Sequence, residues 1–238
     1  VKFYGTEFEL RADIVNSGRF RWTTDFNFGY SMNRVLELPD NGIPQNRIGG
    51  TYDPNTGIGF GGIAEGERMY STTGYITEGI LDTWEEANNA NFDTQASGWS
   101  PLDEQKVKGR KIPGDMEWVD QNGDGVIDKY DQVVLGYLVP TTTGGFGNRL
   151  IFGSFTFNVF MDYALGHSIA DATLRRSYGA VNSGDYTPLS EVLTECWTQE
   201  GDAAAGKTLP RFDLLDQKQQ RNFHRDSDNS VYKGDYLC

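Results

Sequence analysis

Residues 20–32 read Phe-Arg-Trp-Thr-Thr-Asp-Phe-Asn-Phe-Gly-Tyr-Ser-Met. Every second residue of this stretch is large and apolar, apart from Thr24, and the residues between them are polar or small. Successive side chains of a β-strand point to opposite faces, so the alternation predicts one strand near residues 19–33 with an apolar and a polar face. Most strands have about five or six residues, so this one is unusually long.

Three further stretches alternate in the same way. They lie near residues 6–15, 145–152 and 154–165. The sequence Asn16-Ser-Gly18 favours a turn after the first of them, and Gly153 separates the last two. We therefore expect two long β-hairpins in a mainly β, antiparallel chain.

Two long connections accompany these hairpins, near residues 34–143 and 166–230. Both are rich in turn-forming residues, and short helices are predicted at 81–88 and 188–199. Short turns on one side and long loops on the other are typical of transmembrane β-barrels, which would place both connections outside the cell. A secreted β-sandwich would show the same alternation, so the pattern leaves two architectures open: residues 1–238 as part of a barrel, or a sandwich.

The composition narrows the classes of partner and the kind of membrane contact that the chain could have. The net charge of −13 disfavours nucleic acid and anionic lipid head groups as partners. No apolar run approaches the roughly 20 residues of a membrane helix, although barrel strands need no such run. Cys196 and Cys238 are too few for a disulfide framework and form no Cys-x-x-Cys motif. The start at Val1 without Met, and an extended run just before the end, lead us to expect a piece of a longer protein.

A calcium loop is predicted at residues 120–131, Asp-Gln-Asn-Gly-Asp-Gly-Val-Ile-Asp-Lys-Tyr-Asp. Oxygen ligands fall at positions 1, 3, 5, 7, 9 and 12 of the twelve-residue template; they are Asp120, Asn122, Asp124, the Val126 carbonyl, Asp128 and Asp131. Gly125 occupies the position where the backbone must turn. The flanking residues indicate extended chain rather than helices, so we expect a structural calcium ion rather than a sensor.

Catalysis has little support in the sequence. His167 and His224 have no nearby nucleophile, and the glycine-rich stretch 57–62 lacks the Lys-Ser/Thr of a phosphate loop. Carboxylate pairs such as Glu85 and Glu86 could in principle hydrolyse glycosidic bonds, but any acidic chain contains many such pairs. We therefore expect no enzyme. Aromatic residues of the connections could pack internally or stack on a ligand; they are Tyr52, Phe60, Tyr70, Tyr75, Trp84, Trp99 and Tyr178.

Residues 114–136 resemble a signature of SusC-like (SusC/RagA) TonB-dependent outer-membrane transporters. They read Gly-Asp-Met-Glu-Trp-Val, then the acidic loop, then Gln-Val-Val-Leu-Gly, and Pro140 and an aromatic hairpin follow in the same order. Further matches occur along the chain at Glu65-Gly66, Gly74-Tyr75, Gly79-Ile80, Trp197, Pro210-Arg211 and Ser230 to Leu237. The resemblance covers most of the chain and corresponds to a late part of the barrel only.

The resemblance implies a bacterial outer-membrane location and contact with membrane lipid. It also implies import of oligosaccharides or peptides with a SusD-like lipoprotein partner, and a TonB interaction through parts of the protein outside this sequence. The alternative is a secreted, calcium-stabilised carbohydrate-binding or adhesion module with a β-sandwich core.

Overall fold

The two predicted hairpins lie side by side in one antiparallel sheet. The computed structural model describes residues 1–94, 109–179, 189–212, 222–223 and 225–238. Its longest strands are β1 (Lys2–Ser17), β2 (Phe20–Arg34), β11 (Thr142–Phe152) and β12 (Phe155–Leu165). With the short β15 (Tyr236–Leu237) they form a five-stranded sheet in the order β1-β2-β11-β12-β15. The mainly β, antiparallel fold class is confirmed.

The strands extend beyond the predicted ranges because their partners continue. β1 reaches Lys2, which pairs with Arg34 at the far end of β2. β11 begins at Thr142 rather than near residue 145, because Thr142 pairs with Tyr30 on one side and with Leu165 on the other. This threonine- and glycine-rich start has no apolar alternation, so the pairing partners rather than the local pattern determine where the strand begins.

The register places the apolar residues of four strands on one face of the sheet. Phe8 lies opposite Phe28, and Phe26 lies opposite Phe146, which in turn lies opposite Met161. The opposite face carries charged and polar side chains, and there the Thr23 hydroxyl donates to Asp13 Oδ1 over 2.7 Å. One face of the sheet is therefore apolar and the other polar.

The apolar face is not covered by the described part of the chain. Phe8, Leu10, Phe157 and Phe155 expose 52%, 51%, 62% and 80% of their surface. A β-sandwich would bury such a face against a second sheet. In the described residues the large sheet does not close on itself, so the molecule presents an open, two-faced arc.

The two long connections carry the remaining elements as small sheets and short helices. Paired strands are β3 (Thr51–Tyr52) with β4 (Gly59–Phe60), β5 (Ser71–Gly74) with β10 (Val133–Tyr137), β6 (Thr77–Ile80) with β8 (Met116–Trp118), β7 (Phe92–Asp93) with β9 (Val126–Ile127), and β13 (Ser168–Ala170) with β14 (Val231–Lys233). The helices are α1 (Trp84–Asn89), α2 (Ala172–Gly179) and α3 (Glu191–Glu195). No helix within these described ranges is long and apolar enough to cross a membrane.

The predicted helices are shorter than expected. α1 begins at Trp84 because Thr83 and Glu86 form a capping box at its amino end. The helix predicted at 188–199 is wrong in length, since α3 ends at Glu195 and Pro188 lies outside the described residues. The chain leaves α3 at Cys196, which pairs in extended form with Leu209. A strand contact thus replaces the last predicted helical turn.

Candidate metal site and loop core

The predicted calcium ligands lie in one loop between two short strands. Residues 120–131 connect β8 to β10, so both flanks are extended, as the sequence predicted. Gly123 and Gly125 have φ angles of 75° and 79°. Such left-handed conformations suit glycine, which has no Cβ to clash with the backbone. The loop therefore has the sharp turn that the template requires at Gly125.

Carboxylates in the first half of the loop bind its backbone amides. Asp120 accepts hydrogen bonds from the amides of Gly123 and Gly125, each over 2.7 Å. Asp124 Oδ1 accepts from the Val126 amide over 2.8 Å, and Asn122 Oδ1 accepts from the Asp124 amide over 3.1 Å. Each interaction is a local turn that Asp and Asn side chains commonly form.

Asp131 joins the two ends of the loop. Its carboxylate is fully buried and accepts from the Gln121 amide over 2.9 Å and from the Asp128 amide over 2.7 Å. Burial raises the pKa of the Asp131 carboxyl against the effect of these hydrogen bonds, and the negative charges of Asp120 and Asp128 add to the increase. The last predicted ligand therefore lies in a negative environment that a cation would stabilise.

The Val126 carbonyl faces away from the neighbouring strand. The hydrogen bonds between the parallel strands β7 and β9 use the carbonyls of the two residues that flank Val126. The Phe92 amide donates to Gly125 O over 3.2 Å, and the Thr94 amide donates to Ile127 O over 3.0 Å. Because carbonyls alternate along an extended chain, the carbonyl of Val126 points to the opposite side, where its oxygen could coordinate a cation.

The six residues thus share one loop, but their acidic side chains do not converge on a common point. No group of three or more His, Cys, Asp or Glu side chains in the described ranges is arranged to hold a metal ion. The donors are all oxygen atoms, the set that Ca²⁺ prefers. Calcium at this loop stays a prediction, and binding would require the acidic side chains to draw together around the ion.

A buried ion pair that sequence reasoning missed lies beside the loop. Arg225 is 4% exposed and its Nη2 donates to the Asp93 carboxylate. The guanidinium carbon lies 5.0 Å from the ring centroid of Tyr75 and 5.3 Å from that of Trp118. Trp118 packs with Tyr75, Met116 and Ile127 in the core of the first connection. No motif in the sequence marks Arg225, because its partners are distant along the chain.

The residues that carry the family resemblance meet in a second buried cluster. The Arg211 amide donates to Gly114 O over 2.7 Å, and Arg211 Nε donates to Asp115 Oδ1 over 3.1 Å. Asn222 Nδ2 donates to the same carboxylate oxygen over 3.3 Å. The Trp197 ring lies over Gly114, where an added Cβ would be only 2.2 Å from it. We call Gly114, Asp115, Trp197, Arg211 and Asn222 the hub, which joins the two long connections.

The glycine-rich stretch, the histidines and the cysteines show no catalytic arrangement in the described part of the chain. The glycine-rich stretch 57–62 forms the β3–β4 hairpin and its exit. His167 O accepts from the Gly234 amide, whereas His224 lies outside the described residues. Both cysteines are free, and burial raises the pKa of the Cys196 thiol to about 11.

The aromatic side chains of the connections differ in exposure. Tyr75 and Phe60 are buried, whereas Tyr70 and Trp84 are exposed. Tyr52 and Tyr178 are half-buried, and Trp99 lies outside the described residues. Internal packing therefore accounts for some of these rings, and a few remain accessible to a ligand.

Comparison with known proteins shows similarity to one group. No family model matches the sequence. TonB-dependent receptor P39 of Formosa agariphila is 27% identical over an alignment of length 260, which covers 98% of this chain and 22% of the receptor. TonB-dependent receptor P26 of the same organism is 28% identical over 196 residues, which cover 82% of this chain and 18% of the receptor. The chain spans about a fifth of the length of these relatives.

Solved structures show the same relationship at the level of the fold. The chain superposes on a structure of the RagAB peptide transporter with a TM-score of 0.61, at 14% identity over 99% of this chain and 22% of that one. For the closed-closed state of the RagAB peptide importer the TM-score is 0.58, at 15% identity, and the superposition covers 99% of this chain and 22% of that chain. The relatives are receptors and transporters by name, which agrees with the expectation that this chain is not an enzyme. The predicted resemblance to TonB-dependent receptors is thus confirmed: along almost its whole length, the chain is similar to one segment of such receptors.

Proposed function

We propose that the chain forms part of the wall and the outer surface of a bacterial outer-membrane transporter. The observation that carries the proposal is the two-faced sheet, whose apolar face is exposed while its other face is polar. In a membrane barrel the apolar residues contact lipid and the alternate residues line the interior. The alternative, a secreted β-sandwich module, does not explain why Phe155 and Phe157 remain uncovered.

The strand lengths support a membrane location. β11 and β12 have 11 residues each, which matches the roughly 9–11 residues of a tilted transmembrane strand. β2 carries Trp22 near its short-turn end and Tyr30 toward the long connections. Aromatic rings at both levels are typical of the girdles that flank the lipid-facing band of a barrel. The longer β1 and β2 would extend past the membrane into the outer loops.

The opposite face would line the interior. It carries a mixture of acidic and basic side chains, including Glu7, Glu9, Arg11, Asp13, Arg21, Asp25 and Arg149. Two glycines of β11 accommodate neighbours on this face: the Asp25 carboxylate lies over Gly147, and the Phe160 ring lies over Gly145. Such a surface remains hydrated, which suits a transport pathway better than a packed protein core.

The proposed cargo is an oligosaccharide or a peptide, imported with a SusD-like lipoprotein that closes the outer face. Support comes from the resemblance to SusC-like transporters and from the fold of the RagAB peptide transporter. Interaction with TonB would involve parts of the receptor outside this sequence. The two long connections would lie outside the cell, and their small internal cores suit a stable platform for a partner.

Calcium is the proposed structural ion of residues 120–131. Support comes from the six oxygen donors in template order, the turn at Gly125 and the negative surroundings of the buried Asp131. The ion would hold the loop between β8 and β10 and thereby the adjacent core. It would have no part in catalysis.

Cell fractionation and an uptake assay test the transport proposal. The full-length protein should fractionate with outer membranes, require detergent for extraction and show heat-modifiable migration on gels. Deleting the gene of the proposed SusD-like partner, or that of TonB, should abolish growth on the cargo. Intact full-length protein in the soluble fraction would instead support the secreted module.

A further inference from the structure

A depression beside α1 combines several carboxylates with an incompletely paired buried group. It has a volume of about 450 Å³ and lies between α1 and the antiparallel pair of β6 and β8. The carboxylates of Glu78, Glu86 and Glu117 and the amide side chains of Asn89 and Asn91 line it. None of these residues belongs to the predicted calcium loop.

Glu117 is the buried carboxylate among the residues that line this depression. It is 7% exposed, and its Oε1 accepts hydrogen bonds from the Lys111 ammonium and from the Trp118 amide. Its Oε2 is buried and accepts no hydrogen bond from the described part of the chain. A buried carboxylate oxygen without a donor is energetically costly, so a ligand that donates to it would be stabilised.

The charges around Glu117 are predominantly negative. Among the described residues that line the depression, Glu78, Glu86 and Glu117 are acidic and none is basic, while Lys111 pairs with Glu117 from outside this lining. Burial raises the pKa of the Glu117 carboxyl, and the negative charge of Glu78 adds to this effect while Lys111 opposes it. Glu86 is held in place because its Oε2 accepts from the amides of Asp82 and Thr83. As far as the described residues go, the depression therefore has excess negative charge beside the Lys111–Glu117 pair.

We propose that this depression binds a cationic side chain of a peptide, an ammonium or a guanidinium group. Such groups offer several N–H donors and no acceptor, which matches three carboxylates and two amide oxygens. The inference goes beyond the proposed function, because binding at this site requires no transport.

Calorimetry on the full-length receptor in detergent tests the site with two capped tripeptides. One is acetyl-Gly-Lys-Gly-amide, and the other carries norleucine, which keeps the chain length but lacks the charge. The lysine peptide should bind at least about tenfold more tightly, because a charge-assisted hydrogen bond contributes this much. Equal binding of the two peptides would overturn the proposal.

Two matched variants locate the binding. Glu78→Gln removes a charge from the exposed rim and should weaken the lysine peptide by about two- to fivefold, the range expected of an exposed ion pair. Glu85→Gln removes a charge from an α1 residue that does not line the depression, and it should leave affinity unchanged. Unchanged affinity in Glu78→Gln, or displacement of the lysine peptide by uncharged maltotriose, would contradict the assignment. Since the readout is equilibrium binding, a failure of transport would not affect it.

Discussion

Arg225 and Asp93 form a buried ion pair across 132 residues of sequence, and the guanidinium lies against the rings of Tyr75 and Trp118. The pair joins the carboxyl-terminal part of the chain to β7, which in turn pairs with β9 of the acidic loop. The position of this loop thus depends on a residue about a hundred positions further along the chain.

Removing one partner of this pair should destabilise the outer loops. Arg225→Leu leaves the Asp93 charge buried, and breaking a buried pair costs roughly 3–5 kcal/mol. Limited proteolysis of the full-length receptor in outer membranes should show faster cleavage of the loops while the barrel stays intact. Arg175→Gln is the control, because its partner Asp226 is largely exposed. Equal cleavage of the two variants would contradict the role of the Arg225 pair.

Calcium should protect residues 120–131 from cleavage. Titration with Ca²⁺ should release or absorb measurable heat, and chelation should increase proteolysis near the loop. Asp124→Ala should abolish the heat, because position 5 supplies a ligand in the template. Asp40→Ala, in an exposed turn outside the loop, should bind calcium like the wild type. No heat at millimolar Ca²⁺ would leave the loop as a turn stabilised by its own hydrogen bonds.

A charge on the apolar face should impair assembly in the membrane. Phe26 and Asn27 are neighbours on β2 but point to opposite faces of the sheet. Phe26→Arg should cost about 2–4 kcal/mol near the middle of the bilayer, whereas Asn27→Arg should cost little. Heat-modifiable migration of the full-length protein measures the folded fraction. A greater loss with Asn27→Arg would reverse the assignment of the lipid-facing side.

Adding a single methyl group at Gly114 should disrupt the hub. Gly114 has a φ of +87°, and a Cβ there would lie 2.2 Å from the Trp197 ring. Gly201→Ala is the control, because it also has a positive φ, of +95°, but an added Cβ would contact nothing within 4 Å. Both variants carry a backbone penalty of about 1–2 kcal/mol, so the difference between them measures the steric clash. Hydrogen exchange of residues 109–118 should increase in Gly114→Ala only.

Acid should loosen the turn after α3. Hydrogen bonds from the Thr198 hydroxyl and amide lower the pKa of the Asp202 carboxyl from 3.8 to about 2. A lowered folded-state pKa contributes stability that is complete above the unfolded value and is lost as the pH falls toward 2. Hydrogen exchange of residues 196–207 should therefore accelerate between pH 4 and about 2 after correction for the intrinsic rate. Asp202→Asn should exchange rapidly at neutral pH as well.

Much of the large sheet could be predicted from the sequence, because alternation is a local property. The run from Phe20 to Met32 indicates both its strand and its two faces without knowledge of any partner. The start of β11 at Thr142 could not be inferred in this way, since it depends on pairing with Tyr30 and Leu165. The end of α3 likewise depends on Leu209, which pairs with Cys196 from thirteen residues away.

The candidate sites follow the same distinction between local and distant determinants. The turn at Gly125 and the role of Asp131 in closing the acidic loop depend on a twelve-residue spacing that can be read directly. The Arg225–Asp93 pair and the depression around Glu117 depend on how distant segments pack. A single sequence without structure contains no periodic signal for such contacts.

The hub has a mechanical consequence. Arg211 is bonded to Gly114 and Asp115, so the connection after β12 is fastened to the one between β2 and β11. The two long connections therefore cannot swing independently of each other. A partner that displaced either connection would move both together, with the bending confined to the ends of the long strands.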